Sequence, residues 1–201
     1  MRCFIAVPVP RDRLAWIDAV RVGLAGRADG VRWISAEALH VTIRFLGEVE
    51  SERIPQVARR VGEAAAVSKR FTVRFGGVTV LPHPRRATAL CVEIDDPEGG
   101  LARFHEEVGS RLAVDGFTRE ARSFRPHLTI GRWRTPPSPV GVDTLLRSAP
   151  VPSGEQWAID DVRVMKSELT PRGAIYTILA TVPLGMGLYS DSSPTIRGAT
   201  S

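Results

Sequence analysis

One short pattern occurs twice in this chain, as His40–Val41–Thr42–Ile43 and as His127–Leu128–Thr129–Ile130. Polar and apolar positions alternate in both copies, which is the period of a β-strand. Residues two apart in a strand share a face. His40 and Thr42 are therefore expected on one side, with Val41, Ile43 and Phe45 packed on the other. In the second copy His127 and Thr129 share a face, backed by Leu128 and Ile130. A lone histidine in a strand is usually a satisfied core or surface residue. Two copies of the same local pattern instead suggest two half-sites facing each other across a groove.

The rest of the chain supplies elements to hold two such strands. Residues 1–10 alternate and end in prolines, as a strand leaving a sheet does. Residues 11–26 read as an amphipathic helix carrying Leu14, Ile17, Val20, Val22 and Leu24, stopped at Gly26. A short strand at 31–34 and a turn at 35–39 precede the first motif strand, 41–46. Residues 51–68 form a second helix, with Ser51 as cap and Pro55 in its first turn. Strands over 71–81 and 87–94 flank the loop Pro82–Arg86. A third helix over 97–113 places Leu101, Phe104, Val108 and Leu112 along one face. The second motif strand lies within 124–133. The run Thr135–Pro139 is read as irregular, 143–148 as a short helix, and 159–169 with 174–184 as a closing pair of strands around the turn at 170–173. Several strands adjoin in hairpins, so an α+β fold with a largely antiparallel sheet is expected. Residues 185–201, small and polar, read as a flexible tail after a single domain over 1–184.

Composition narrows the function without choosing it. No apolar run approaches the length of a membrane span, and the opening residues lack the features of a signal peptide. A cytoplasmic protein with no membrane partner is expected. Cys3 and Cys91 lie in apolar strand-like runs and form no CxxC or Cys/His cluster, so they read as buried reduced thiols, and no metal is expected. The net charge is +5, and of 27 basic residues only Lys69 and Lys166 are lysines. Arginine's planar fork matches pairs of phosphate oxygens, which favours an anionic partner such as nucleic acid. An Arg- and Ala-rich proteome would give the same composition.

The chemistry that uses two imidazoles is acid–base chemistry. Cleaving a phosphodiester requires one proton to be taken from the attacking oxygen and another given to the leaving oxygen, and two imidazoles titrating near neutrality do both without a metal. The hydroxyls of Thr42 and Thr129 are suited to bond the non-bridging oxygens, where charge concentrates. By alternation Arg44 falls on the His40 face and is a candidate contact to RNA phosphate. His83 and His105 match neither copy and read as solvated. Trp33, Phe45, Phe124 and Trp133 are aromatic candidates for stacking a base. Trp33 is expected at the rim of the site and the others in packing.

The stretches His40–Gly47 (HVTIRFLG) and Phe124–Arg132 (FRPHLTIGR) resemble the two HxTx motifs of the 2H phosphoesterase superfamily, and most of all its LigT-like RNA 2′,3′-cyclic phosphodiesterases. Phe4–Val7 resembles that family's first strand, Trp33 its aromatic before the first motif, and residues 164–184 its closing hairpin. The resemblance implies a bilobal, pseudo-two-fold fold of two antiparallel sheets with helices outside and the site in the groove between lobes. It implies hydrolysis of a terminal RNA 2′,3′-cyclic phosphate to a 2′-phosphate with no cofactor, His40 giving the proton and His127 taking one. It also implies that Arg132 touches the phosphate, although its odd offset from His127 requires the strand to end or bulge after Gly131, or the side chain to reach round from the rim. Other readings are a minor 2′–5′ ligation by reversal, a different small cyclic nucleotide or a 2′–5′ oligonucleotide as substrate, or a non-catalytic RNA-binding module. The expected partner is RNA with cyclic ends, tRNA fragments among them, and the expected state a monomer.

Overall fold

The computed structural model describes residues 1–118, 120, 123–152, 154–171, 173–185 and 195–196. Among the described residues ten strands, all paired antiparallel, form one sheet. The first half of its path is β1 (Arg2–Pro8), β3 (His40–Glu48), β8 (Asp161–Thr170) and β9 (Gly173–Pro183), in the order β9-β8-β1-β3. The second half is β4 (Thr72–Leu81), β5 (Ala89–Asp95), β6 (His127–Trp133) and β7 (Gln156–Ala158), in the order β6-β5-β4-β7. Each half is a four-stranded antiparallel unit with its histidine strand at the inner edge. The α+β, pseudo-symmetric architecture expected from the sequence is present. The two expected sheets meet along β3 and β6 through a single rung, Val41 opposite Leu128. β2 (Val31–Trp33) lies off this path and pairs with the far end of β6. Two residues of the expected tail, Thr195 and Ile196, form β10 on β9. The remainder of 186–201 lies outside the described residues.

Helices cover the closed side of the sheet. α2 (Ile54–Val67) buries Ile54, Val57, Ala58, Val61, Ala64 and Ala65, the three-and-four spacing of one helical face. It packs on β9 and on α3 (Gly100–Val114), whose Leu101, Phe104, Val108 and Leu112 are buried as their spacing predicts. α1 (Leu14–Leu24) turns Ile17, Val20 and Leu24 inward and leaves Val22 exposed. Trp16 of this helix stacks on Phe75 of β4 at 4.6 Å, and Phe75 in turn packs against Trp157 of β7. Burying each Leu, Ile, Val or Phe side chain is worth roughly 1.5–3 kcal/mol, so the backing of both motif strands is strongly fixed.

Two elements differ from the sequence expectation. α4 (Pro139–Arg147) begins inside the proline run read as irregular: Ser138 caps it by accepting from the Gly141 amide, and Pro139 is its first residue, where a missing N–H costs nothing. β7 is too short for its three residues to give a periodic signal, and pairing with β4 alone defines it. Cys3 and Cys91 are free and buried, and burial pushes the Cys91 thiol up to about 11. No helix is long and apolar enough to cross a membrane.

Candidate active site

Where the two halves meet, the open face of the sheet forms a groove of about 1190 Å³. His40 and Thr42 of β3 line it together with His127 and Thr129 of β6. The two histidines are held in the same way. His40 Nδ1–H donates to the carbonyl of Ala38 at 2.8 Å, and His127 Nδ1–H donates to that of Arg125 at 2.7 Å. Each ring is thereby fixed as the tautomer with its free lone pair on Nε2, the nitrogen left for the groove. The Thr129 hydroxyl lies 3.7 Å from the Cys91 thiol.

Beyond this symmetry the two imidazoles differ in surroundings. Phe4 lies 4.8 Å from the His40 ring, and Tyr176 of β9 stands edge-on to it at 4.9 Å. Burial among these rings pushes the His40 pKa below its ordinary value, partly offset by the bond to Ala38. The positive charges of Arg132 and His127 are close enough to push it further down. His40 is therefore neutral in the free protein near pH 7.

The strands carrying these residues are not regular, and their irregularity redistributes the side chains. Between Thr42 and Arg44, β3 gains one residue over β1, because Ala6 opposes Thr42 while Ile5 opposes Arg44. Between Thr129 and Gly131, β6 gains one over β5, because Cys91 opposes Thr129 while Leu90 opposes Gly131. The unpaired residues are Ile43 and Ile130, each three after its histidine. A bulge reverses the alternation beyond it. Arg132 therefore shares the groove face with His127 after all, the bulge lying before Gly131 rather than after it. Phe45, expected behind the strand, lines the groove and is 58% exposed.

Arg44 moves the opposite way, and the expectation that it contacts substrate phosphate is corrected. It is 2% exposed; its guanidinium donates to the Thr118 carbonyl at 2.5 Å and passes over Gly109 of α3, where any side chain would strike it. His105, expected to be solvated, is also buried at 5% exposure. It stacks on Phe124 at 4.2 Å, and its Nδ1–H donates to the carbonyl of Ile43, the residue the bulge leaves unpaired. His105 thus supports the bulge from the closed side of the sheet.

Trp33 sits half-buried in the groove wall, as expected of a rim residue. Gly131 lies opposite it, and a Cβ there would fall 2.5 Å from Val31, so only glycine lets β2 approach β6. Trp133 is buried, with its indole N–H bonded to the Asp29 carbonyl. Arg2, Arg32, Arg132 and Arg134 all line the groove, and its described lining contains no Asp or Glu. None of the four forms an ion pair among the described residues. Sequence reasoning missed Arg2, Arg32, Arg134 and Tyr176, which reach the groove only through the pairing of distant strands.

Residues 9–171 match the 2′-5′ RNA ligase superfamily, a span covering most of the chain. The chain belongs to this superfamily. Among curated relatives, the RNA 2′,3′-cyclic phosphodiesterase of Archaeoglobus fulgidus is 32% identical over 176 residues, covering 88% of this chain and 96% of that protein. The RNA 2′,3′-cyclic phosphodiesterase of Thermotoga maritima is 34% identical over 183 residues, covering 89% of this chain and 93% of that protein. The superfamily fold recurs in the crystal structure of TT0787 of Thermus thermophilus, with a TM-score of 0.77 at 24% identity, covering 94% of this chain and 100% of that one. It recurs as well in Escherichia coli LigT complexed with 3′-AMP, with a TM-score of 0.72 at 22% identity, covering 91% of this chain and 97% of that one.

Proposed function

We propose that this protein hydrolyses terminal RNA 2′,3′-cyclic phosphates to 2′-phosphates, using His40 and His127 as an acid–base pair without a metal or cofactor. The observation that carries the reading is the paired arrangement of two imidazoles, each with Nδ1 committed to backbone, in a groove whose described lining holds four arginines and no carboxylate. Similarity to curated RNA 2′,3′-cyclic phosphodiesterases over nearly the whole chain supports the substrate class.

In this mechanism the phosphate lies between the two histidines, with the Thr42 and Thr129 hydroxyls and the Arg132 guanidinium on its non-bridging oxygens. His127 Nε2 takes a proton from water as the water oxygen attacks phosphorus. The bond to the 3′-oxygen breaks, and His40 Nε2–H gives that oxygen its proton. The product is a 2′-phosphomonoester, and the two imidazoles have exchanged protonation states. Phe45 and Trp33 offer apolar faces to the terminal base. Substrates are RNA ends, tRNA fragments among them, met by a cytoplasmic monomer. With a 5′-hydroxyl end in place of water as the attacking group, the same displacement breaks the bond to the 3′-oxygen and leaves a 2′–5′ phosphodiester, a minor joining reaction.

A second reading reverses the direction of proton transfer. Burial and the neighbouring positive charges hold His40 neutral in the free protein, the state a base requires. The bound anionic phosphate acts against that depression and favours His40 as the donor in the complex.

The deciding experiment follows an oligonucleotide ending in a 2′,3′-cyclic phosphate by phosphorus NMR in the presence of EDTA. Conversion to the 2′-phosphate is expected. A 3′-phosphate product, or no turnover unless a divalent cation is added, overturns the proposal.

A further inference from the structure

Arg32 and Arg132 stand directly opposite each other on the β2–β6 pair. Side chains at opposed positions of an antiparallel pair emerge on the same face with Cβ atoms about 4.5–5.5 Å apart, and like charges there repel. Both residues are exposed, both line the groove, and no carboxylate pairs with either among the described residues. Two like charges held in register, with no counterion among the described residues, draw anions to this end of the groove.

The two arginines occupy different depths. Arg132 is on the histidine strand itself, whereas Arg32 is one strand further out. The Arg32 guanidinium crosses to the other bank of the groove and lies over Gly173 at the β8–β9 turn, where a Cβ would fall 2.5 Å from Nη2. Gly173 has a φ of +134°, a conformation that L side chains rarely adopt, so this bank is kept bare beneath the guanidinium. Arg32 therefore spans the mouth of the groove. One phosphate is enough to occupy the histidines, the threonines and Arg132, which leaves Arg32 to meet a second.

Resting on the proposed reaction, we infer that Arg32, beside Arg132, provides a second phosphate site, which holds the phosphodiester joining the terminal nucleotide to its 5′ neighbour. An RNA end of two or more nucleotides then binds better than a mononucleotide, because only the longer ligand carries that phosphate.

The test is a binding measurement that needs no turnover. Affinities of the protein for a nucleoside 2′-phosphate and for a dinucleotide with the same 2′-phosphorylated end are compared with those of Arg32→Gln. In the unmodified protein the dinucleotide is expected to bind more tightly, and the substitution to cut that advantage about tenfold, the loss of one charge-assisted contact. An advantage that keeps its original size in Arg32→Gln overturns the site, whether both affinities fall together or neither falls. A protein that shows the expected binding pattern but cleaves no cyclic phosphate counts against the proposed reaction and leaves the second phosphate site standing.

Discussion

Phe45 and Arg132 occupy equivalent places on the two banks of the groove, each five residues after its histidine and each turned inward by one unpaired isoleucine in its strand. The same device thus delivers an apolar ring on one side and a guanidinium on the other. Their chemistry separates their effects. Phe45→Ala removes a surface for a base, worth roughly 1–3 kcal/mol per stacked base, and is expected to raise KM with little change in kcat. Arg132→Ala removes a donor to an oxygen that gains charge during the reaction and is expected to lower kcat about 100-fold or more. Steady-state kinetics on one oligonucleotide reads both, and a fall in kcat for Phe45→Ala equal to that for Arg132→Ala would refute the division of labour.

His40→Ala and His127→Ala are each expected to lower turnover by roughly 100- to 10,000-fold while RNA binding is largely kept. The direction of proton transfer is readable from a substrate whose 3′-oxygen is replaced by sulfur, a leaving group that needs no proton. Turnover of that substrate is expected to recover in His40→Ala and not in His127→Ala. Recovery in His127→Ala alone would establish the reversed roles.

Folding stability carries a signature of His40. Its pKa is lowered in the folded protein, so between that lowered value and about 6.5 in the unfolded chain the unfolded state binds more protons. Stability therefore rises with pH through this window and is lost as pH falls through it. Thermal midpoints recorded from about pH 5 to 8 are expected to climb less steeply in His40→Gln than in the unmodified protein. Parallel curves would mean that burial does not depress this imidazole.

Arg44 tests whether its burial is structural. Arg44→Ala deprives the Thr118 carbonyl of its donor and opens space beside Gly109, and a loss of about 1–3 kcal/mol is expected. Denaturant unfolding measures this loss, while kcat/KM per folded molecule stays close to that of the parent. A stable variant with weakened RNA binding would return Arg44 to the groove.

Much of this protein is legible in its residues alone because the signals are local. The four-residue repeat, its period of two and the spacing of apolar residues in α2 and α3 identify the histidine strands, their threonines and the helices that back them. Strict alternation fails at Arg44, Phe45 and Arg132, because an extra residue is defined only against the strand beside it, and the partners β1 and β5 lie far away in the chain. His105 is misread for a similar reason: a polar residue on a helix is buried only when a carbonyl from another element, here that of Ile43, arrives to receive its proton. The meeting of Arg32 with Arg132, and of both half-sites across the single rung of Val41 and Leu128, is likewise absent from any local window. Short-range periodicity determined that each histidine shares a face with its threonine, whereas the register between distant strands decided which later residues of each strand join them in the groove.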